Sequence, residues 1–431
     1  MTGLATTPTD QATALANWAT QLQPSEEDLA LARRSLLDTL AVAYAARDHP
    51  LRALFDQLAD AGRWAALAHV LDFDDLHMPS TTHISAICVP VALATGGDAR
   101  AYLAGAGVMA RLGTTLGWRH YNAGWHATCT AGAPAAAVTA SIALRLDAER
   151  TATAITLAIP AAGGVQRAFG SSAKALQVGF AADAGVRAAR LAQAGASADP
   201  RALDDWLSLV RGANDPGDPG PGDPGPGDPR PGDTGPGDTD DGTGTDPSPD
   251  QQAIPDGLAI KLFPCCYALQ RPISALIQLA PDTAPERIRR IAITTPKSSL
   301  TPLIHKNPTT GLEGKFSLEY AVAATLLDGY PDLTSFTDEA VQRLPARRII
   351  ELVETTATDT GDGLLSREVE IELTLADGRT SSTTLALPPG APGRPPSEDE
   401  LRRKLDACAG PESDTLAALT WDTASRFLAR V

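Results

Sequence analysis

The sequence is short of aromatic residues, which make up 5% of it, and has only three methionines. Alanine fills the space instead, a combination that favours close-packed helices over a β-sandwich. Cysteine is scarce and poorly placed for a structural role. Cys88, Cys129, Cys265, Cys266 and Cys408 are odd in number, which argues against a disulfide framework. Their spacing fits neither a zinc site nor an iron–sulfur site. Positive charge is also in deficit: 36 Lys and Arg face 52 Asp and Glu, and the net charge of -16 argues against a nucleic-acid partner. No run is apolar and long enough to span a bilayer. The opening residues, MTGLATTPTDQATALA, lack a basic segment followed by an apolar one, so no signal peptide is expected. The expectation is a soluble, cytoplasmic protein. With 431 residues and 43% hydrophobic content, it can build real cores in two or three domains.

Most of the negative charge sits in one place. Asp215 to Asp250 is a DPGPG-like repeat with ten Asp against one Arg, so it carries -9 of the -16. It has no apolar surface to bury and cannot offset its ordering entropy. Glycine is not strictly every third residue, which excludes a collagen repeat. The segment reads as a disordered insertion on the first domain, and its deletion should leave turnover unchanged.

The rest of the chain is organised around Leu71 to His83, LDFDDLHMPSTTH. Three carboxylates (Asp72, Asp74, Asp75) and two imidazoles (His77, His83) share twelve residues. Such density is costly to bury unless the groups pair or bind something. An apolar run, Ile84 to Ala94, follows at once. Titratable groups at the mouth of a buried helix suit an anion-binding active site. A solvated acidic loop capping a helix through Ser80 or Thr81 would also explain them.

Helical spacing covers Gln11 to Leu22, then Glu26 to about Ala46 behind a Ser25 cap, then 51–59 and 62–70. Further helices are expected over 84–94, with a bend at Pro90, and over 99–112. A loop rich in Trp, Tyr, His and Arg is expected from Gly117 to Gly132, then helices over 133–146, 151–161 and from about Lys174. The last carries Gly179, Ala181, Ala182 and Gly185, small residues that let neighbours approach closely. Beyond Tyr267 the texture changes to α+β. Strands are expected at Arg289–Thr295 and Arg348–Glu354, with a hairpin from Arg367 to Leu387 that turns at Ala376-Asp377-Gly378. Helices are expected near 272–279, 317–327 and 337–344. Ser397 caps a late helix, and a final one spans Thr415 to Val431. The fold class is therefore mainly α: a large all-helical domain (1–266), a smaller α+β domain (267–392), and C-terminal helices (393–431) returning to the first.

Groups that could carry chemistry are scattered: Asp72, His77 and His83; His120 and His126; Lys174; Lys261; Tyr320. Each also has a structural explanation. Cys265-Cys266 reads as packing, since no adjacent base can be named. His49, His69 and His305 have no notable sequence neighbours and read as structural. A metal hydrolase on His77 and His83 lacks a third ligand and HExxH-type spacing.

Seven motifs in order resemble the MmgE/PrpD family, which includes 2-methylcitrate dehydratases, cis-aconitate decarboxylase and iminodisuccinate epimerases. They are LDFDD at Leu71, His83 with VPVALA, GWHATCTAG at Gly124, SSAKALQVGFAADAG at Ser171, IKLFPCC at Ile260, KFSLEYAVAATLLDG at Lys315 and GRPPSEDELRRKL at Gly393. The resemblance implies a helical domain with an α+β lid, a homodimer without metal or cofactor, and a pocket for a small di- or tricarboxylic acid. It places site residues at Asp72, His83, His126, Lys174, Lys261 and Tyr320. The sequence departs from many relatives by Leu76 where they carry Thr, and by His83-Ile84-Ser85 where they often have His-Pro. Loss of a hydroxyl at Leu76 would change the substrate.

The chemistry so implied is a carbanion made or quenched beside a carboxylate. His126 and Lys174 would form the acid–base pair, and Lys174, Lys261 and a protonated His126 would hold negative charge. Asp72 would orient His83, Tyr320 would donate from the lid, and His77 would join Lys261 in binding substrate. The expected reaction is that of a lyase, dehydration ahead of decarboxylation. An epimerase or a non-catalytic acid-binding relative are the other readings.

Overall fold

The computed structural model describes residues 10–211, 252–279, 283–358 and 363–431. The Asp/Gly/Pro-rich insertion lies outside the described residues. The architecture is a large helical body with a smaller α+β body, as the composition implies.

In the helical body, side-chain caps start the helices where the sequence places them. Asp10 caps Gln11–Gln21, and Ser25 with Asp28 closes a capping box on Glu26–Ala45. Asp60–Val70, Ser85–Ala94, Ala127–Ala143 and Ser172–Gln193 form its centre. The small residues of the last helix explain its place there. A Cβ on Gly185 would stand 2.3 Å from the Ala136 Cβ, so only glycine lets these two helices touch. The late helices Glu398–Ala409, Ser413–Ala417 and Trp421–Leu428 return to this body, and Cys408, Leu416 and Leu428 join its core.

A second core gathers Ala259 to Leu373 with Leu76 and Phe169. Its sheet has four strands: β1 (Ile288–Pro296), β2 (Val353–Thr358), β3 (Val369–Leu375) and β4 (Thr380–Leu385). The spatial order is β2-β1-β3-β4, with only β1 and β2 parallel. Ile291 and Ile293 alternate with more exposed neighbours, so one face is buried; the helix Tyr267–Leu279 packs against β3 and β4, and Leu318–Asp328 packs on that helix.

Three local expectations fail for identifiable reasons. The helix from Ala99 does not stop at Leu112 but runs to about Leu116, and a second short helix continues to Asn122, so most of the expected aromatic loop is helical. Gly117, at φ +69° and ψ -175°, is the non-helical kink between the two, and the loop shrinks to about 123–126. The run RIIELVE is not one strand. Pro345 in a first turn starts the helix Leu344–Ile350, and the strand begins only at Val353. The final helix splits in two, with the second part starting behind Thr420. Among the described residues no helix is long and apolar enough to cross a membrane.

Candidate active site

The Asp60–Val70 helix ends at Leu71, and Asp72 follows with φ +53°. That left-handed position ends many helices and favours glycine. A residue with a Cβ costs about 1–2 kcal/mol there. Asp72 is thus held against local preference, and its surroundings show what holds it. Its Oδ1 accepts from Lys174 Nζ at 3.1 Å and from Lys261 Nζ at 2.9 Å. Burial alone would raise this carboxyl, but the two ammonium groups outweigh it and keep it well below the usual carboxylate range.

A second carboxylate organises the imidazoles. His69 Nδ1 lies 2.7 Å from Asp74 Oδ2, and Lys174 Nζ lies 2.6 Å from His69 Nε2. An ammonium can only donate, so His69 Nε2 accepts and its proton sits on Nδ1, facing Asp74. Burial first, with Lys174 against it and Asp74 for it, lowers the His69 pKa to about 4. His83 Nδ1 stands 3.0 Å from the same Asp74 oxygen, in a poorly aligned contact that still favours a proton on Nδ1. Its Nε2 is left bare, and it makes no hydrogen bond among the described residues.

His126 is fixed the opposite way. Gln177 Oε1 accepts from the Val165 N–H at 3.1 Å, which sets the amide's orientation. Gln177 Nε2 then donates to His126 Nδ1 at 2.6 Å. The His126 proton therefore sits on Nε2. Burial, then His69 and Lys174, push its pKa well down, so it is neutral at physiological pH. The ring stacks at 5.6 Å on His69 and meets Phe169 edge-on.

His83, His126, Lys174 and Asp72 line one cavity. The rest of its wall is Leu76, Thr81, Tyr121, Phe169, Cys266, Tyr267, Phe316 and Leu364, drawn from both bodies. At about 20 Å³ it has room for one water. A larger guest requires this cavity to widen.

Five of the expected residues meet here: Asp72, His83, His126, Lys174 and Lys261. Their arrangement corrects several expectations. Asp74, not Asp72, touches His83, because Asp72 is taken up by two lysines. His126 is neutral, not protonated, because burial and neighbouring cationic groups oppose a charge. Lys261 lies beneath Asp72 and does not line the cavity; its ammonium is occupied by the Asp72 carboxylate and carbonyl. Tyr320 is fully buried, donates to the Ser335 carbonyl and does not reach the cavity. His77 is satisfied by Ser80 Oγ at 2.7 Å and the Pro255 carbonyl at 2.9 Å. His120 lies apart and bonds the Val210 carbonyl.

The sequence reading passed over His69, Gln177 and Lys315. His69 had one usable signal: it occupies the last turn of a helix that runs straight into three carboxylates. Gln177 had one too, standing one turn after Lys174 on the same helix.

His69, Asp74 and His83 offer three metal-ligating atoms within 4.8 Å of one another. A dication there would displace the protons aimed at Asp74 and lie beside the ammonium groups of Lys174 and Lys261. The donor set suits a proton relay and an anion better than a cation.

Asp75 is a separate matter. It accepts from the Ser85 amide at 3.2 Å and from Ser85 Oγ, which also meets the Tyr102 hydroxyl at 2.9 Å. Burial, only partly opposed by Ser85, lifts its pKa to about 7. A carboxyl raised on folding contributes stability that is complete below its unfolded pKa and lost as pH rises through its folded one. Asp75→Asn mimics the protonated form. Its stability advantage over the native protein should grow by roughly 3–4 kcal/mol between pH 4 and 7, then level off. Urea melts at several pH values would show it, and a pH-independent difference would mean that Asp75 is ionised in the fold.

Comparison with known proteins identifies the family. The model of the MmgE/PrpD N-terminal domain matches residues 55–211, and that of the MmgE/PrpD C-terminal domain matches residues 263–421. The first spans the segment that contains His69, Asp74, His83, His126 and Lys174. The chain is 24% identical to a cis-aconitate decarboxylase-like protein, oryM, of Aspergillus oryzae, over 94% of this chain and 92% of that one. It is 23% identical to a cis-aconitate decarboxylase of Aspergillus terreus, over 81% of this chain and 74% of that one. With both domain models matched in order along one chain, the protein belongs to the MmgE/PrpD family.

Proposed function

We propose that the protein is a lyase acting on a small di- or tricarboxylic acid through a carbanion beside a carboxylate, with dehydration as its reaction. One observation carries this reading. Two neutral imidazoles line the same cavity with opposite tautomers, His83 with Nε2 bare and His126 with Nε2 protonated. A bare nitrogen can take a proton and a protonated one can give it, so a base and an acid stand ready together.

In this scheme His83 Nε2 removes the proton α to a carboxylate. The electron pair moves to the adjacent carbons as the C–O bond breaks. His126 Nε2–H protonates the departing hydroxide, which leaves as water. Lys174 stabilises the developing negative charge, and the Asp74–His69 pair holds its ammonium in place. The substrate enters when the Phe169, Phe316 and Leu364 wall opens, and closure then expels water. The relatives' names carry decarboxylation into consideration. A decarboxylase would need only the acid, and the bare His83 nitrogen would then have no task.

The test is proton exchange in heavy water, followed by NMR, with a panel of citrate-like, aconitate-like and aspartate-derived acids. Deuterium entering one acid with loss of water, and absent in His83→Ala and His126→Ala, is the expected result. Carbon dioxide release would replace dehydration by decarboxylation. Inverted configuration with neither loss would make it an epimerase. Tight binding without exchange of any acid would remove the catalytic reading.

A further inference from the structure

Three buried ammonium groups meet the acidic stretch from behind. Lys315 Nζ donates to the Leu71 carbonyl at 2.9 Å. Lys261 Nζ donates to the Asp72 carbonyl at 2.9 Å. Lys404 Nζ donates to the Phe73 carbonyl at 2.8 Å. Three successive carbonyls thus each hold one lysine. The lysines come from separate parts of the chain: the IKLFPCC segment, the residue after the Gly311–Gly314 turn of helix, and the C-terminal Glu398–Ala409 helix.

Lysine is rarely buried this deeply unless a partner compensates its charge. Lys261 has the Asp72 carboxylate, and Lys404 has Asp38 Oδ1 at 2.6 Å. Lys315 has no carboxylate in contact among the described residues, and its second acceptor is the Pro264 carbonyl at 2.6 Å. Its ammonium is thus given over to backbone. The placement has a direct consequence for Asp72. The Leu71 carbonyl belongs to the peptide unit before Asp72, and the Asp72 carbonyl to the unit after it. Fixing both planes fixes φ and ψ of Asp72. The first two carbonyls also lie at the negative end of the Asp60–Val70 helix, where cations are favoured.

We propose that Lys315 is a positioning residue which, with Lys261, clamps the two carbonyls on either side of the Asp72 Cα, holds Asp72 in its left-handed conformation and so aims its carboxylate at Lys174. The clamp ties the α+β body to one strained residue of the site, while Lys404 of the C-terminal helix holds the next carbonyl along, that of Phe73. It rests on the lyase reading only for its kinetic readout.

Lys315→Met in the full chain tests it. Asp38→Asn with Lys404→Met is the control, because it frees the Phe73 carbonyl, which belongs to neither peptide unit of Asp72, and removes both members of a buried ion pair together. The crystal structure of Lys315→Met should show Asp72 out of the left-handed region, or its contact with Lys174 longer than about 4 Å, and that of the control should not. The exchange kcat of Lys315→Met should fall about ten- to hundredfold, with KM within about threefold. Asp72 unmoved in folded Lys315→Met, with its Lys174 contact intact, overturns the clamp. If the wild type exchanges no acid, the lyase reading fails and the crystal structures alone decide the clamp. If Lys315→Met does not fold, Lys315→Gln decides by the same structural criterion, because its uncharged side chain is one bond too short to hold both carbonyls. Failure of both variants to fold assigns Lys315 to folding alone and overturns the clamp.

Discussion

Lys174→Met should lower turnover about a thousandfold and leave the protein folded. Methionine keeps the length of the side chain and removes the ammonium group. Asp72 still has Lys261 at 2.9 Å, so no buried carboxylate is stranded. The loss is therefore chemical: the cavity no longer has a cation where charge develops, a contribution of about 10²–10³ at comparable sites. The variant also has a signature independent of substrate. Lys174 is one of the groups that hold the His69 imidazole neutral. Without it, Asp74 acts on His69 unopposed by the ammonium, and the His69 pKa should rise from about 4. Nitrogen-15 spectra of the imidazoles across pH 4 to 8 would follow that rise. An unshifted His69 together with near-normal turnover would remove Lys174 from the site.

The stability consequence of these imidazoles has a definite sign. Each is buried with a lowered pKa, so protonation is resisted by the fold. Their contribution is complete above about pH 6.5, the unfolded value, and declines as the pH falls below it, for His69 down to about pH 4. The Asp75 contribution runs the other way, being lost as pH rises toward 7. The helical body and the site thus have opposing acid responses within a few residues of each other.

Much of this was legible in the sequence. The Leu71–His83 stretch announced itself by charge density, and side-chain caps at Ser25 and Ser397 marked where helices begin. What stayed hidden depended on direction and on distant packing. Tyr320 was placed on the correct helix, but nothing in its spacing shows that its hydroxyl turns to Ser335. His69 looked like the end of an alanine-rich helix, because Lys174 reaches it from more than a hundred residues away. The carbonyl clamp has no sequence signature at all, since a lysine that meets backbone leaves no pattern of charge pairs. Leu76 was noted as a missing hydroxyl. The structure shows where it went, into the second core and against the cavity wall, with its backbone bridged to Ala259.

Asp74→Asn should be as damaging as Lys174→Met, for a different reason. The carboxylate accepts from His69 Nδ1 at 2.7 Å and faces His83 Nδ1 at 3.0 Å, so one group sets two tautomers. Both rings meet the same oxygen, Oδ2, so an asparagine carbonyl turned to that position can keep both contacts and both tautomers. What asparagine cannot keep is the negative charge. When His83 takes the substrate proton it becomes an imidazolium, and Asp74 is the carboxylate beside it that offsets the new charge. The asparagine amide nitrogen also falls at the Oδ1 position, which has no hydrogen-bond partner among the described residues. Loss of that charge weakens the base, and a loss of about 10²–10⁴ in kcat is expected, as for other positioned acid–base groups. Retained KM with lost kcat would place the effect in the chemical step. The charge on Asp74 separates this from simple destabilisation: Asp74→Glu keeps the carboxylate and should recover part of the rate, whereas Asp74→Asn should not recover at any pH. Equal activity in the Glu and Asn variants would show that charge at this position does not govern the reaction.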